Sequence, residues 1–147
     1  MIKNGSQMSK RCDLTNFDDN MKEIIKSINL RLYIGSKSTL PPILMHSPPG
    51  CGKTHLVRAI IQKFQDDYDY LWVDSSDIMS SYYGETHKKI SSIFEAARKH
   101  NKPVILFFDE IDGLFGEHKD SQSVDIQNIT TFKQETDGNK NNSNIIL

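Results

Sequence analysis

A chain of 147 residues, 37% hydrophobic and 25% charged, is sized for one compact domain with a core of its own. No apolar run approaches the length of a membrane span and Met1 to Ser6 lack the apolar core of a signal peptide, so a cytoplasmic or nuclear setting without membrane insertion is expected. A formal net charge of -1 gives no overall basic footprint for nucleic acid, Cys12 and Cys51 cannot build a disulfide framework, and the five histidines lack metal-ligand spacing.

In chain order, residues 1 to about 16 are polar and read as a loose lead. Met21, Ile24, Ile25 and Ile28 then fall on one face of a helix that Asp18, Asp19 or Asn20 is placed to cap. A polar connection with Gly35 and Ser36 leads to Pro41, which divides the chain into an N-terminal polar segment with its lead-in helix, residues 1–40, and a core, residues 41–147. In the core, residues 43 to 46 read as a short apolar strand, and Leu56, Val57, Ile60, Ile61 and Phe64 repeat at helical spacing. Residues 70 to 73 form the next strand, closed by the turn and cap residues Asp74-Ser75-Ser76-Asp77. Ile90, Ile93, Phe94 and Ala97 give a helix its sheet-facing side, and that helix ends near His100, before Pro103. Residues 104 to 108 are a continuous apolar run, as a buried parallel strand requires. A last helix is expected over residues 124 to 136, with Gly138 suited to its left-handed cap, followed by an asparagine-rich polar loop and the start of a further strand at Ile145. Strands alternating with helices predict an α/β chain with a parallel sheet covered on both sides, and no internal repeat is visible.

Between the first strand and its helix stands Ser47-Pro48-Pro49-Gly50-Cys51-Gly52-Lys53-Thr54. A triphosphate needs several donors converging from one side, and Gly50 and Gly52 let the backbone approach it closely. Lys53 is then placed to reach the β- and γ-phosphates, Thr54 to set its hydroxyl on Mg²⁺, and the helix to aim its N-terminus at the anion. Ser47 stands where the motif asks for its first glycine. A proline- and glycine-rich turn that only joins strand to helix would share this composition, but not the Gly-Lys-Thr ending with the correct flanks. The strand at residues 104 to 108 ends in Asp109 and Glu110, on the side where open α/β sheets place their ligands. There Asp109 is expected to hold Mg²⁺ through water and Glu110 to polarise an attacking water. An apolar run before Asp-Glu is commonplace alone; paired with the phosphate loop it points to nucleotide hydrolysis. Cys51 within the loop reads either as a redox-sensitive thiol or simply as a small side chain.

From about Pro41 to Leu147 the chain resembles the AAA ATPases, through residues 47 to 54, the stretch Ser80-Ser81-Tyr82-Tyr83-Gly84-Glu85, the helix carrying Ile93-Phe94-Glu95-Ala96-Ala97-Arg98, and Phe107-Phe108-Asp109-Glu110-Ile111-Asp112. The wording of the loop and of the Asp-Glu strand is most similar to the second ring of valosin-containing protein and to the peroxisomal AAA proteins, with katanin and spastin next. The resemblance implies a P-loop NTPase fold, a three-layer α/β/α sandwich around a parallel sheet, incomplete at its C-terminus. It implies ATP and Mg²⁺ as cofactors, with Pro49, Gly50, Cys51, Gly52, Lys53, Thr54 and His55 around the nucleotide, Thr54 and Asp109 toward the metal, and Lys53, Asp109 and Glu110 in catalysis. It also implies that Tyr82, Tyr83 and Gly84 form a loop gripping a polypeptide in the pore of a hexamer, where aromatic contact area suits varied chains. Packing of one tyrosine into the core and the other over a helix end is the alternative. His87 departs from the acidic residue usual at its position.

The family's polar sensor residue, arginine fingers and helical lid have no counterpart in the sequence, and Arg58 and Arg98 lie within early helices, away from the finger positions. Since an arginine finger contributes ~10³ to 10⁵ in turnover, slow or undetectable hydrolysis is expected of the chain alone, and ring formation is in question. Three functions therefore compete. The first is an AAA motor piece that binds and hydrolyses ATP, joins other AAA subunits and remodels a polypeptide. The second is a regulatory nucleotide-binding module, or inactive fragment, that no longer turns over. The third is a DNA-directed relative such as a clamp loader, against which the near-neutral charge and paired tyrosines speak.

Overall fold

The structure is a computed structural model and describes residues 2–4, 19–34, 41–79, 85–115, 122–137 and 140–147. Its four-stranded sheet has the order β1-β2-β3-β4, with β1 at Lys3–Asn4, β2 at Asp69–Asp74, β3 at Val104–Asp109 and β4 at Ile145–Ile146. β2, β3 and β4 are parallel, in a register that sets Asp69 beside Val104 and Asp74 beside Asp109, and Val104 beside Ile145. Helices α1 (Asp19–Ile34), α2 (Lys53–Lys63), α3 (Ser75–Ile78), α4 (Thr86–Arg98) and α5 (Gln122–Thr136) accompany it.

Strand alternation sorts the apolar residues into two cores. Leu71, Val73, Val104, Leu106, Phe108 and Ile145 point to one face, where Ile78, Ile90, Phe94 and Ala97 meet them. Tyr70, Ile105 and Ile146 point to the other, against Leu56, Val57, Ile60, Ile61 and Phe64 of α2 and Ile28 of α1. The expected three-layer α/β/α sandwich is therefore what forms, and the helical spacings on α1, α2 and α4 mark the buried faces. Among the described residues no helix is long and apolar enough to cross a membrane.

Two expectations are corrected. The polar start is not uniformly loose: Lys3–Asn4 pairs antiparallel with β2, Lys3 beside Tyr70 and Asn4 beside Asp69. A parallel sheet leaves the outer edge of β2 with unpaired backbone groups, and even a polar dipeptide can cover them. Residues 43 to 46 do not form a laddered strand; they are tied to the sheet through the Ile43 N–H, which donates to the Leu147 carbonyl over 2.8 Å. The neighbouring strand is only two residues long, so there is little ladder for them to join. The proposed cap Gly138 lies outside the described residues.

The asparagine-rich stretch is more than a surface loop. Asn144 donates to the Ala97 carbonyl at 2.9 Å and the Arg98 carbonyl at 3.1 Å, closing the end of α4. Asn142, buried, donates to the Glu135 carbonyl at 2.6 Å and accepts from Arg98 Nε at 3.0 Å. Glu135 itself is 2% exposed; its carboxylate takes hydrogen bonds from the Arg98 guanidinium and, at 2.7 Å, from Lys140 Nζ. Burial pushes its pKa up, but hydrogen bonds from Lys140, Arg98 and Ser91 together hold the carboxyl below the usual glutamate range.

Because Glu135 is a stronger acid folded than unfolded, its contribution to stability is present above the ordinary glutamate range and is lost as the pH falls through the folded value. Replacing it leaves the partly buried Arg98 charge without its carboxylate partner, so Glu135→Ala is expected to cost about 3 kcal/mol at pH 7. Urea unfolding followed by the fluorescence of Trp72, the only tryptophan, checks this, and the gap between parent and variant should narrow under acid conditions.

Candidate functional site

α2 is placed by its ends. It hands over through the turn in which the Tyr68 N–H donates to the Phe64 carbonyl at 2.9 Å, and Asp69, next in the chain, donates to the Pro103 carbonyl at 3.0 Å as β2 begins. The C-terminal end of α2 is thus at the N-terminal edge of the sheet. Eleven helical residues span ~16 Å and six strand residues ~20 Å, so a helix packed back across the sheet brings its first turn to the opposite edge. At that edge β2 and β3 end side by side with Asp74 next to Asp109. Lys53, Thr54, Asp109 and Glu110 therefore share one side of the molecule.

The loop before α2 is built on two left-handed glycines, Gly50 at φ 77° and Gly52 at φ 83°. A Cβ at either would meet nothing within 4 Å, so the demand for glycine is conformational rather than steric within the chain. Gly52 occupies the N-cap of α2, no side chain caps the helix and its first turn holds no acidic residue, which leaves the positive end of the helix dipole uncompensated by the helix itself. Thr54 is half-buried in the first turn, while Pro49, Cys51 and His55 are exposed. Lys53 Nζ donates to the Ser47 carbonyl at 2.8 Å, to Ser47 Oγ at 3.2 Å and to the Pro48 carbonyl at 3.2 Å.

At the end of β3, Asp109 is half-buried and Glu110 exposed. Glu110 has φ 50°, a left-handed value found in no other non-glycine among the described residues. It opens the 3₁₀ turn Ile111–Leu114, where the Gly113 N–H donates to the Glu110 carbonyl at 2.9 Å. That turn rests on the start of α3: a Cβ on Gly113 would lie 3.0 Å from Ser75 Oγ. Asp74 caps α3, accepting from the Ser76 N–H at 2.9 Å and the Ser76 hydroxyl at 2.6 Å, and these bonds hold its carboxyl below the usual aspartate range. The sequence marks Asp74 as a turn and cap residue, and it does cap α3; the parallel register that sets it beside Asp109 is a long-range fact.

Tyr82, Tyr83 and Gly84 lie outside the described residues. Arg58 stands over the Trp72 ring at 5.6 Å, and Arg98 is bound to Glu135 and Asn142, so both arginines have partners within the fold. No group of three or more His, Cys, Asp or Glu among the described residues could hold a metal ion by itself. The oxygen donors at the site, a threonine hydroxyl and an aspartate carboxylate, are of the kind Mg²⁺ takes one or two at a time beside phosphate and water.

A parallel sheet covered on both faces, with a glycine loop and helix start at its carboxyl edge, defines a P-loop NTPase fold. The chain belongs to the ATPase family associated with various cellular activities (AAA), whose pattern matches residues 43–147. It is 34% identical over 119 residues to vacuolar protein sorting-associated protein 4A of Homo sapiens, an alignment covering 79% of this chain and 27% of the relative. It is 39% identical over 100 residues to cell division protein C of Sulfolobus acidocaldarius, covering 65% and 26% respectively. With the ATPase histone chaperone YTA7 of Saccharomyces cerevisiae it shares 33% identity over 141 residues, 91% of this chain and 10% of that protein. The chain thus spans about a quarter of the length of the sorting and cell-division relatives.

The left-handed backbone at Gly52 yields a direct expectation. Gly52→Ala should lower stability by ~1–2 kcal/mol through backbone strain alone, since its methyl group meets no neighbour. Thermal unfolding of parent and variant checks this.

Proposed function

We propose that the chain binds ATP with Mg²⁺ and hydrolyses it, as the nucleotide core of an AAA ring that remodels polypeptides. The observation that carries the reading is the sharing of one sheet edge by the Gly50 and Gly52 loop, the open start of α2 and the carboxylates of Asp109 and Glu110. In this reading backbone N–H groups from Gly50 to Thr54 cradle the phosphates, Lys53 supplies the point charge, and Pro49, Cys51 and His55 flank the nucleotide. Thr54 and, through water, Asp109 would hold Mg²⁺, which when bound would supply positive charge to offset that of the phosphates. Glu110 accepts a proton from the attacking water. The left-handed backbone at Glu110 supports that role, since such strain is commonly retained at sites where a side chain must be aimed.

The remodelling step rests on Tyr82, Tyr83 and Gly84 as a pore loop and on assembly with further AAA subunits. The names of the relatives, which speak of vacuolar protein sorting, cell division and histone chaperoning, support polypeptide handling over a DNA-directed role. Grouping with valosin-containing protein and the peroxisomal AAA proteins belongs to the same reading.

Titration with a fluorescent ATP analogue and Mg²⁺ should show saturable binding by the parent chain that Lys53→Ala abolishes; equal binding by the variant removes the phosphate-loop assignment. Glu110→Gln should bind within about 2-fold of the parent while any hydrolysis falls by ~10²-fold or more. Binding by the parent without measurable turnover would favour the regulatory module. In a ring that accepts this chain, Tyr82→Ala should spare basal hydrolysis and impair polypeptide processing, and undiminished processing would sink the pore-loop role.

A further inference from the structure

We propose that Ser47 is a positioning residue whose hydroxyl restrains the Lys53 ammonium and so lowers the loop's affinity for phosphate; this rests on the ATP-binding reading above. An ammonium has three N–H donors and no acceptor. Lys53 Nζ meets three acceptors in the loop: the Ser47 carbonyl at 2.8 Å, the Pro48 carbonyl at 3.2 Å and Ser47 Oγ at 3.2 Å. Two of these are backbone oxygens, available whatever side chain stands at position 47. The third exists because the residue is serine instead of the glycine that the phosphate-loop motif asks for.

The consequence follows from counting donors. With every N–H matched inside the loop, the ammonium turns toward a phosphate oxygen only by surrendering bonds it already holds. Without the hydroxyl, one N–H has no loop acceptor and is available to an incoming oxygen at less cost. The hydroxyl also makes a long contact, 3.5 Å, with the Pro48 carbonyl; a proton directed there leaves its lone pairs toward Lys53. Ser47 and Lys53 are both half-buried, so the interaction is neither fully screened by water nor fully withdrawn from it. Ser47 therefore acts through Lys53 and sets how readily the loop takes up a nucleotide.

The test compares the parent chain with Ser47→Ala, Ser47→Thr and Lys53→Ala, each titrated with the fluorescent ATP analogue and Mg²⁺ and each unfolded in urea. Ser47→Ala is expected to bind about 2- to 10-fold more tightly, the range of one ordinary hydrogen bond. Its urea midpoint should not rise, because the gain comes from a released lysine and not from a firmer fold. Ser47→Thr, which keeps a hydroxyl, should return the parental affinity. Unchanged or weaker binding by Ser47→Ala, or tighter binding by Ser47→Thr as well, overturns the proposal while leaving the phosphate loop intact, provided that Lys53→Ala abolishes binding. Equal binding by parent and Lys53→Ala would instead remove the ATP-binding reading, and this inference with it.

Discussion

Everything at the candidate site depends on the burial of β3. This strand is hydrogen-bonded on both edges, to β2 and to β4, and covered on both faces: Val104, Leu106 and Phe108 serve one core, Ile105 and Phe107 the other. Each fully buried side chain of this size contributes roughly 1.5–3 kcal/mol. A one-residue slip would exchange the two sets between faces, so the register is strongly fixed. Asp109 is the first residue that cannot follow the run into the core, and the place where the carboxylates surface is decided by where the apolar run stops.

The aromatic packing beneath that point makes the end of the strand stiff. Phe132 of α5 meets Phe94, Phe108 and Phe115 edge to face, at 5.8, 5.3 and 5.6 Å, and Phe94 stacks on Phe108 at 5.9 Å. One side chain from α5 thus contacts α4, β3 and the residue after the 3₁₀ turn. On the opposite face Trp72 and Phe107 meet at 4.5 Å, with Arg58 of α2 over the indole, so the helix that begins with Lys53 is seated on the same two strands. Loop and carboxylates are thus held on the same pair of strands, packed from opposite faces, as a site that must keep its geometry needs.

What could be read in the sequence was whatever is encoded locally. The apolar run before Asp109, the helical spacing of Leu56 to Phe64, and the glycines before Lys53 each announce themselves within a dozen residues. The misses are long-range or marginal. Nothing near Lys3 shows that it will lie beside Tyr70, and nothing in residues 43 to 46 shows that their neighbouring strand is two residues long. Glu135, Asn142 and Asn144 look like surface polar residues until Arg98 and the end of α4 are brought to them from some forty positions away. Ser47 could be seen as a departure from the motif, but its contact with Lys53 requires the folded loop.

Glu110 carries a conflict between durability and chemistry. Glycine or asparagine would hold its left-handed backbone at lower cost, so replacing the glutamate relaxes the chain locally. If that carboxylate polarises the water, variants chosen only for heat resistance would drift toward disarmed proteins, with the fold improving as the chemistry is lost. A hardened version of this domain would have to leave position 110 alone and gain its robustness at sites remote from the carboxyl edge of the sheet.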